Sequence, residues 1–252
     1  MLAQILPADL FSTLLVFVRL GAALLVLPGF GEIYISQRVR LALAFTLTIV
    51  VAPLVVHTLP AQPAMPVELV VLIGGEAAVG LLIGGAARLM ISGLHVAGTV
   101  IAFQSSLAYA STIDPTQGTQ SALVATLMTI LGTVLIFASG LHFMMLQAMI
   151  DSYELFPPAA LPPFQDFMEA AIGFVTGAFR VGMQIAAPFI VYGLVLYMGM
   201  GLMARLMPQM HVFFIILPLQ IVAAFFVLMV TLGAIMVWFL DYFEEGLAQF
   251  LM

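Results

Sequence analysis

The sequence has no cysteine and no lysine, and only 7% of its 252 residues are charged. The lack of cysteine excludes disulfides, thiolate catalysis and cysteine-based metal sites. Six arginines face twelve acidic residues, a net charge of −6, and no basic run exists, a balance that does not suit binding to nucleic acid. A soluble domain of this size presents a solvated surface, with about a quarter of its residues charged. This chain is 64% hydrophobic and cannot supply such a surface. Its natural solvent is therefore lipid or the apolar surface of other proteins. The stretch Met1-Leu2-Ala3-Gln4-Ile5-Leu6-Pro7 lacks the basic region of a cleaved signal peptide, so the first apolar segment reads as a retained membrane segment.

What the chain does have is long apolar runs. A helical span needs about 20 mostly apolar residues. Six segments qualify, at about 10–30, 39–59, 67–110, 122–150, 170–203 and 212–240. The expected fold is an all-α integral membrane-type protein of about six apolar helical segments, several of them long and broken. The third segment greatly exceeds one crossing and must tilt, break or leave the membrane. Pro188 interrupts the fifth segment and Pro218 lies in the sixth. The links are turn-forming or acidic, and the tail from Asp241 to Met252 is acidic and amphipathic. Arg38, Arg40 and Arg205 lie in the first and fifth links, which the positive-inside rule places in the cytoplasm.

Ionisable residues at membrane depth are costly and are functional candidates for that reason. Arg19, Glu76, Arg88 and Arg180 are the candidates for buried ion pairs. Glu76 and Arg88 share a segment, but twelve residues of continuous helix span about 18 Å. They meet only if the helix breaks between them; otherwise each pairs elsewhere or reaches towards a segment end. Arg19 and Arg180 read as structural partners within an assembly. The histidines His57, His95, His142 and His211 have no metal-binding spacing. Ser139 near His142 lacks the glycine context of an intramembrane protease and reads as helix packing. Gly80 and Gly84 have the spacing of close helix approach. The 17 methionines read as adaptable apolar filler, or as a deformable seal around a passing chain. The polar turn from Thr112 to Gly118, with Asp114-Pro115 at its centre, is either a simple exposed loop or one that lines or closes a pore.

A series of landmarks follows in order along the chain. These are Pro28-Gly29-Phe30-Gly31, Arg38-Val39-Arg40, Glu76 with Gly80 and Gly84, Ala97-Gly98, Gln104 and Asp114-Pro115. Next come His142, the stretch from Asp151 to Pro157, Ala187-Pro188, and the run from Arg205 to Phe213 with Pro218 beyond it. As an ordered set they resemble the FliR/SctT family of type III export-apparatus proteins over nearly the whole chain, and they lean towards its flagellar branch. The chain departs from the family pattern at Ala102 and Ser106, where glycine is usual, and at Tyr197 and His211, where asparagine is common.

The resemblance implies a protein that is not an enzyme and needs no cofactor. It implies a FliP-like helical part over residues 1–169, followed by a FliQ-like helical hairpin and acidic tail over 170–252. One copy joins FliP and FliQ homologues in a hetero-oligomeric pore that passes unfolded flagellar subunits. FlhB is expected at the cytoplasmic entrance, beside the link holding Arg205, Pro208, Gln209 and Met210. A luminal plug loop maps onto about 109–118, with Tyr109, Ser111, Asp114, Pro115 and Gly118 within it. The implied location is the bacterial inner membrane, at the flagellar basal body. The residues alone leave a second reading open, a secondary transporter of a small solute or ion built on broken helices and buried charges.

Overall fold

The computed structural model describes residues 2–107, 123–158, 164–207 and 212–251. Every regular element among them is helical. In chain order these are α1 (Leu2–Val26), α2 (Gln37–Val55) with a 3-10 turn at Val56–Thr58, and α3 (Pro66–Gln104). They are followed by α4 (Leu123–Ala138), α5 (Leu141–Leu155), α6 (Phe164–Leu206) and α7 (Val212–Ala248). Four helices, α2 with its turn, α3, α6 and α7, are long and apolar enough to cross a membrane. The pair α4–α5 forms a fifth span if its two halves count as one, and Leu10–Val26 of α1 is a shorter apolar helix. The all-α membrane class is as expected, with four or five spans by this measure against about six from the sequence.

The expected breaks fall elsewhere. The third segment is one unbroken helix of 39 residues, glycines included. Pro188 sits inside the 43-residue α6 and Pro218 inside the 37-residue α7, and both helices run through. A proline removes one backbone bond, and in an apolar setting neighbouring elements can absorb that loss. The true interruption is at Gly140. Its φ of +82° lies in the left-handed region that glycine occupies without a Cβ clash, and α4 and α5 meet there at 76°.

Helix ends follow local chemistry. The Ser36 hydroxyl accepts the Val39 N–H at 3.4 Å and caps α2. Pro66 opens α3 at the position where its missing N–H costs nothing, with Glu68 in the first turn. Asp166 and Arg205 complement the two ends of the α6 dipole. Inside the elements, apolar residues point everywhere. On α2 one face buries Ala44, Thr48, Val51 and Val55, while Leu41, Phe45, Ile49 and Leu54 remain exposed. A helix apolar on all sides belongs in lipid or against another protein.

Packing groups the chain into two compact units, residues 1–90 with 136–175 and 243–252, and residues 91–135 with 176–242. The core of the first holds Leu15, Leu20 and Leu24 of α1, Ile83 of α3 and Met145 of α5. The core of the second holds Leu94, Ala125, Met128, Phe189 and Phe239.

Candidate functional site

In the first unit, glycine sets the distance between α1 and α3. A Cβ added at Gly80 would land on the Arg19 carbonyl oxygen, and one at Gly84 would lie 2.5 Å from the Ala23 carbonyl oxygen. Neither position accepts a larger residue while the helices stay this close. Glu76 precedes Gly80 by one helical turn and shares its face. The close approach therefore seats the Arg19 and Glu76 side chains against one another.

The result is a fully used guanidinium. Arg19 Nε donates to Glu76 Oε2 at 2.7 Å and Nη2 donates to Glu76 Oε1 at 3.0 Å, a bidentate fork. Nη1 donates to the Ser152 carbonyl at 2.9 Å and to Ser152 Oγ at 3.1 Å, and Nη2 donates to the Phe156 carbonyl at 3.0 Å. All five N–H bonds of the guanidinium thus have acceptors. Ser152 Oγ is consistent in this role, since it donates its own proton to the Met149 carbonyl at 2.7 Å. Its carbonyl and that of Phe156 lie at the C-terminal end of α5, where the dipole is negative; the Ser152 carbonyl also accepts the Phe156 N–H at 2.9 Å. The Tyr153 ring lies 4.0 Å from the guanidinium carbon, in cation–π contact. Arg19 and Glu76 are each 1% exposed. Removing one partner of such a pair costs about 3–5 kcal/mol, because the other charge stays buried alone.

A second, more exposed set of contacts holds the link between α1 and α2. Arg40 donates to the Phe30 carbonyl at 3.2 Å and to the Glu32 carbonyl at 2.9 Å. The Glu32 carboxylate pairs with Arg88. Gly29, with φ +79°, lies against the Phe137 ring, where a Cβ has no room. Phe137 packs between Phe30 and His142, with ring centroids 5.3 and 5.0 Å away.

In the second unit a smaller polar knot joins three helices. Gln220 of α7 donates to the carbonyl of Gln104, the last residue of α3, at 2.5 Å and lies 3.3 Å from the Tyr197 hydroxyl. The Tyr192 hydroxyl donates to the Gln220 carbonyl at 2.5 Å. Gly193 leaves the space that the Gln104 side chain fills.

The four charged candidates thus separate. Arg19 and Glu76 form a buried pair, each finding its partner on another helix. Arg88 is a correction to the expected buried set. It is 45% exposed and reaches Glu32, because α3 is unbroken and keeps it three turns from Glu76. Arg180 is exposed in this chain, and no described carboxylate lies within ion-pair distance of it. Arg205 is exposed at the end of α6. Pro208, Gln209 and Met210 lie outside the described residues, as do Tyr109, Ser111, Asp114, Pro115 and Gly118. Sequence reasoning noted the stretch from Asp151 to Pro157 without a reason for it; the reason is that Ser152, Tyr153 and Phe156 receive Arg19. Tyr192 and Gln220 were missed, although Gln104 was among the landmarks.

Both knots are structural chemistry. The Arg19 guanidinium, the Gln220 amide and the Tyr192 hydroxyl spend their donors on fixed acceptors, the buried Tyr153 hydroxyl has no hydrogen-bond partner among the described residues, and the knots sit in long helices suited to lipid. The class is therefore an all-helical, membrane-embedded protein whose buried polar groups tie helices together. The chain belongs to the bacterial export proteins, family 1, whose sequence profile matches residues 10–246. It is 34% identical over 242 residues to the flagellar biosynthetic protein FliR of Caulobacter vibrioides, covering 96% of each chain. It is 30% identical over 237 residues to the flagellar biosynthetic protein FliR of Bacillus subtilis, covering 91% of this chain and 89% of that one. The Yop proteins translocation protein T of Yersinia pestis is 26% identical over 228 residues, 87% of this chain and 85% of that one.

Proposed function

We propose that this chain is a core subunit of the flagellar type III protein export gate. It joins FliP and FliQ homologues in the pore through which unfolded flagellar subunits are secreted. The observation that carries this reading is likeness to FliR across nearly the full length of both chains, at 34% identity. The weaker likeness to the Yersinia translocation protein supports the flagellar branch over the injectisome branch. Membership of a type III export apparatus follows from the family and its named members. The fold supports a non-enzymatic role, since the buried polar groups described above hold helices and present no nucleophile beside a base.

Within this reading, residues 1–169 act as the FliP-like part and 170–252 as the FliQ-like hairpin with its tail. The loop over 109–118 plugs the closed pore on its luminal side. The link with Arg205, Pro208, Gln209 and Met210 faces FlhB at the cytoplasmic entrance. The complex resides in the inner membrane at the flagellar basal body. The transporter reading loses its support, because Arg19 and Glu76 are committed to each other and Arg88 and Arg180 are exposed.

The test is a tagged pull-down from detergent-solubilised membranes, with mass spectrometry of the intact complex. A large defined assembly containing two further small apolar proteins, homologous to FliP and FliQ, is expected. A stable monomer or homodimer free of them overturns the reading.

A further inference from the structure

The first unit carries an open groove of about 460 Å³ between α1 and α2, within the size range of small-ligand sites. Its walls are apolar and small-sided, with Gly21, Ala22 and Leu25 on α1 and Leu41 and Ala44 on α2. A Cβ built on Gly21 meets nothing within 4 Å, so the space over it is free in this chain. One end of the groove differs in character. It is formed by Gln37 and Arg40, in the first turn of a helix long and apolar enough to cross the membrane, and so lies at the membrane boundary. Arg38 is exposed in the same turn.

The charges at that end do not balance. Glu32 is the nearby acid, and its carboxylate is taken by Arg88. Arg40 is bonded to backbone carbonyls, which orient it without neutralising it. No described carboxylate lies within ion-pair distance of Arg38 or Arg40. The N-terminal end of the α2 dipole adds positive potential at the same place. An apolar groove that ends at the uncompensated Arg40, with Arg38 exposed in the same turn of α2, matches one kind of molecule, an amphiphile with an acyl chain and an anionic phosphate headgroup. Basic pockets between membrane helices recognise anionic lipids by this chemistry, and guanidinium groups suit phosphate oxygens. We infer that the α1–α2 groove binds one anionic phospholipid, its acyl chain along Gly21 and Leu41 and its headgroup at Arg38 and Arg40. This goes beyond the export role and stands or falls without it.

The test titrates the full chain, in the detergent-solubilised assembly in which it is isolated, with phosphatidylglycerol and separately with phosphatidylcholine of the same acyl chains. Bound lipid is counted by native mass spectrometry. One phosphatidylglycerol per chain is expected to be retained, at least about tenfold tighter than phosphatidylcholine for two arginines at the headgroup. Arg38→Gln is expected to weaken phosphatidylglycerol about fivefold and leave phosphatidylcholine unchanged. Gly21→Leu places its side chain in the groove from a position whose Cβ meets nothing within 4 Å and is expected to abolish retention, with an unchanged size-exclusion profile. Equal binding of the two lipids overturns the inference. So does phosphatidylglycerol binding that neither substitution alters. Because the chain has no cysteine, a Gly21→Cys variant can be labelled at one site. Protection of that cysteine by protein in lipid-free assembly would show another chain in the groove and also overturn the inference.

Discussion

Replacing Glu76 with glutamine leaves Arg19 charged, 1% exposed and without its counter-ion. A glutamine carbonyl can accept one of the two N–H bonds that the carboxylate takes now, but its amide group directs donors at the other. Arginine cannot relieve the strain by losing its proton. The expected cost is about 3–5 kcal/mol, the range for breaking one side of a buried pair. For a chain of this size each kcal/mol lowers the melting temperature by about 2–4 °C, so a fall of roughly 6–20 °C follows. Arg19→Met is expected to fall in the same range. The double variant Arg19→Met with Glu76→Met is different, because both desolvation penalties vanish together. Ser152 Oγ keeps its bond to the Met149 carbonyl, and the Ser152 carbonyl keeps the Phe156 N–H at 2.9 Å. The Phe156 carbonyl loses its Arg19 donor, at about 1–3 kcal/mol. Apolar replacement of a buried pair recovers a similar amount. The double variant is therefore expected within about 2 kcal/mol of the parent and above either single variant. Thermal unfolding of the four proteins in one detergent, followed by size-exclusion of the surviving peak, measures this. A double variant as unstable as the two single losses added together would refute the reasoning.

Gly84→Val would put its Cβ against the Ala23 carbonyl and is expected to destabilise by about 1–3 kcal/mol, read as a lowered melting temperature. Raising salt from 0.1 to 1 M is expected to release the partly exposed Glu32–Arg88 pair and leave Arg19–Glu76 intact, as reported by whether Glu32→Gln costs less in high salt while Glu76→Gln costs the same. Gln220→Leu would leave the Gln104 carbonyl without its donor and is expected to cost about 1–3 kcal/mol, whereas Leu219→Ala on an exposed neighbouring position is expected to cost far less. Deleting residues 110–118 is expected to raise the ion conductance of the closed complex in a planar bilayer, and unchanged conductance would refute the plug assignment.

The helices were legible because apolar runs of this length admit little else, and the runs near 39–59 and 212–240 match α2 and α7 closely. Their interruptions were not. Gly and Pro mark places where a helix can break, but packing decides whether it does. Gly74 to Gly98 stay helical, Gly80 and Gly84 serving as the small residues where α1 crosses α3, and the bend falls at Gly140 instead. The charged set was readable as a list but not as a pairing. Arg19 and Glu76 are 57 residues apart, and nothing local says that they meet. Arg88, nearer in sequence to Glu76, was the wrong guide because a straight helix separates two residues as surely as a long loop does. The knot around Gln220 was hidden for a related reason: a lone glutamine in an apolar run gives no sign of which backbone carbonyl it will reach.

The 39 residues of α3 amount to about 58 Å of helix, against about 30 Å of hydrocarbon in a bilayer. Tilts of membrane helices rarely exceed about 40°, at which a helix uses about 39 Å of its length to cross. Something near a third of α3 then lies beyond the acyl chains, still apolar, and α6 and α7 face the same mismatch at 43 and 37 residues. Neither water nor lipid accepts such a molecule whole. A copy made without its neighbours is therefore expected to be cleared by membrane proteases, so that its steady-state abundance in the cell follows its scarcest partner rather than its own rate of synthesis.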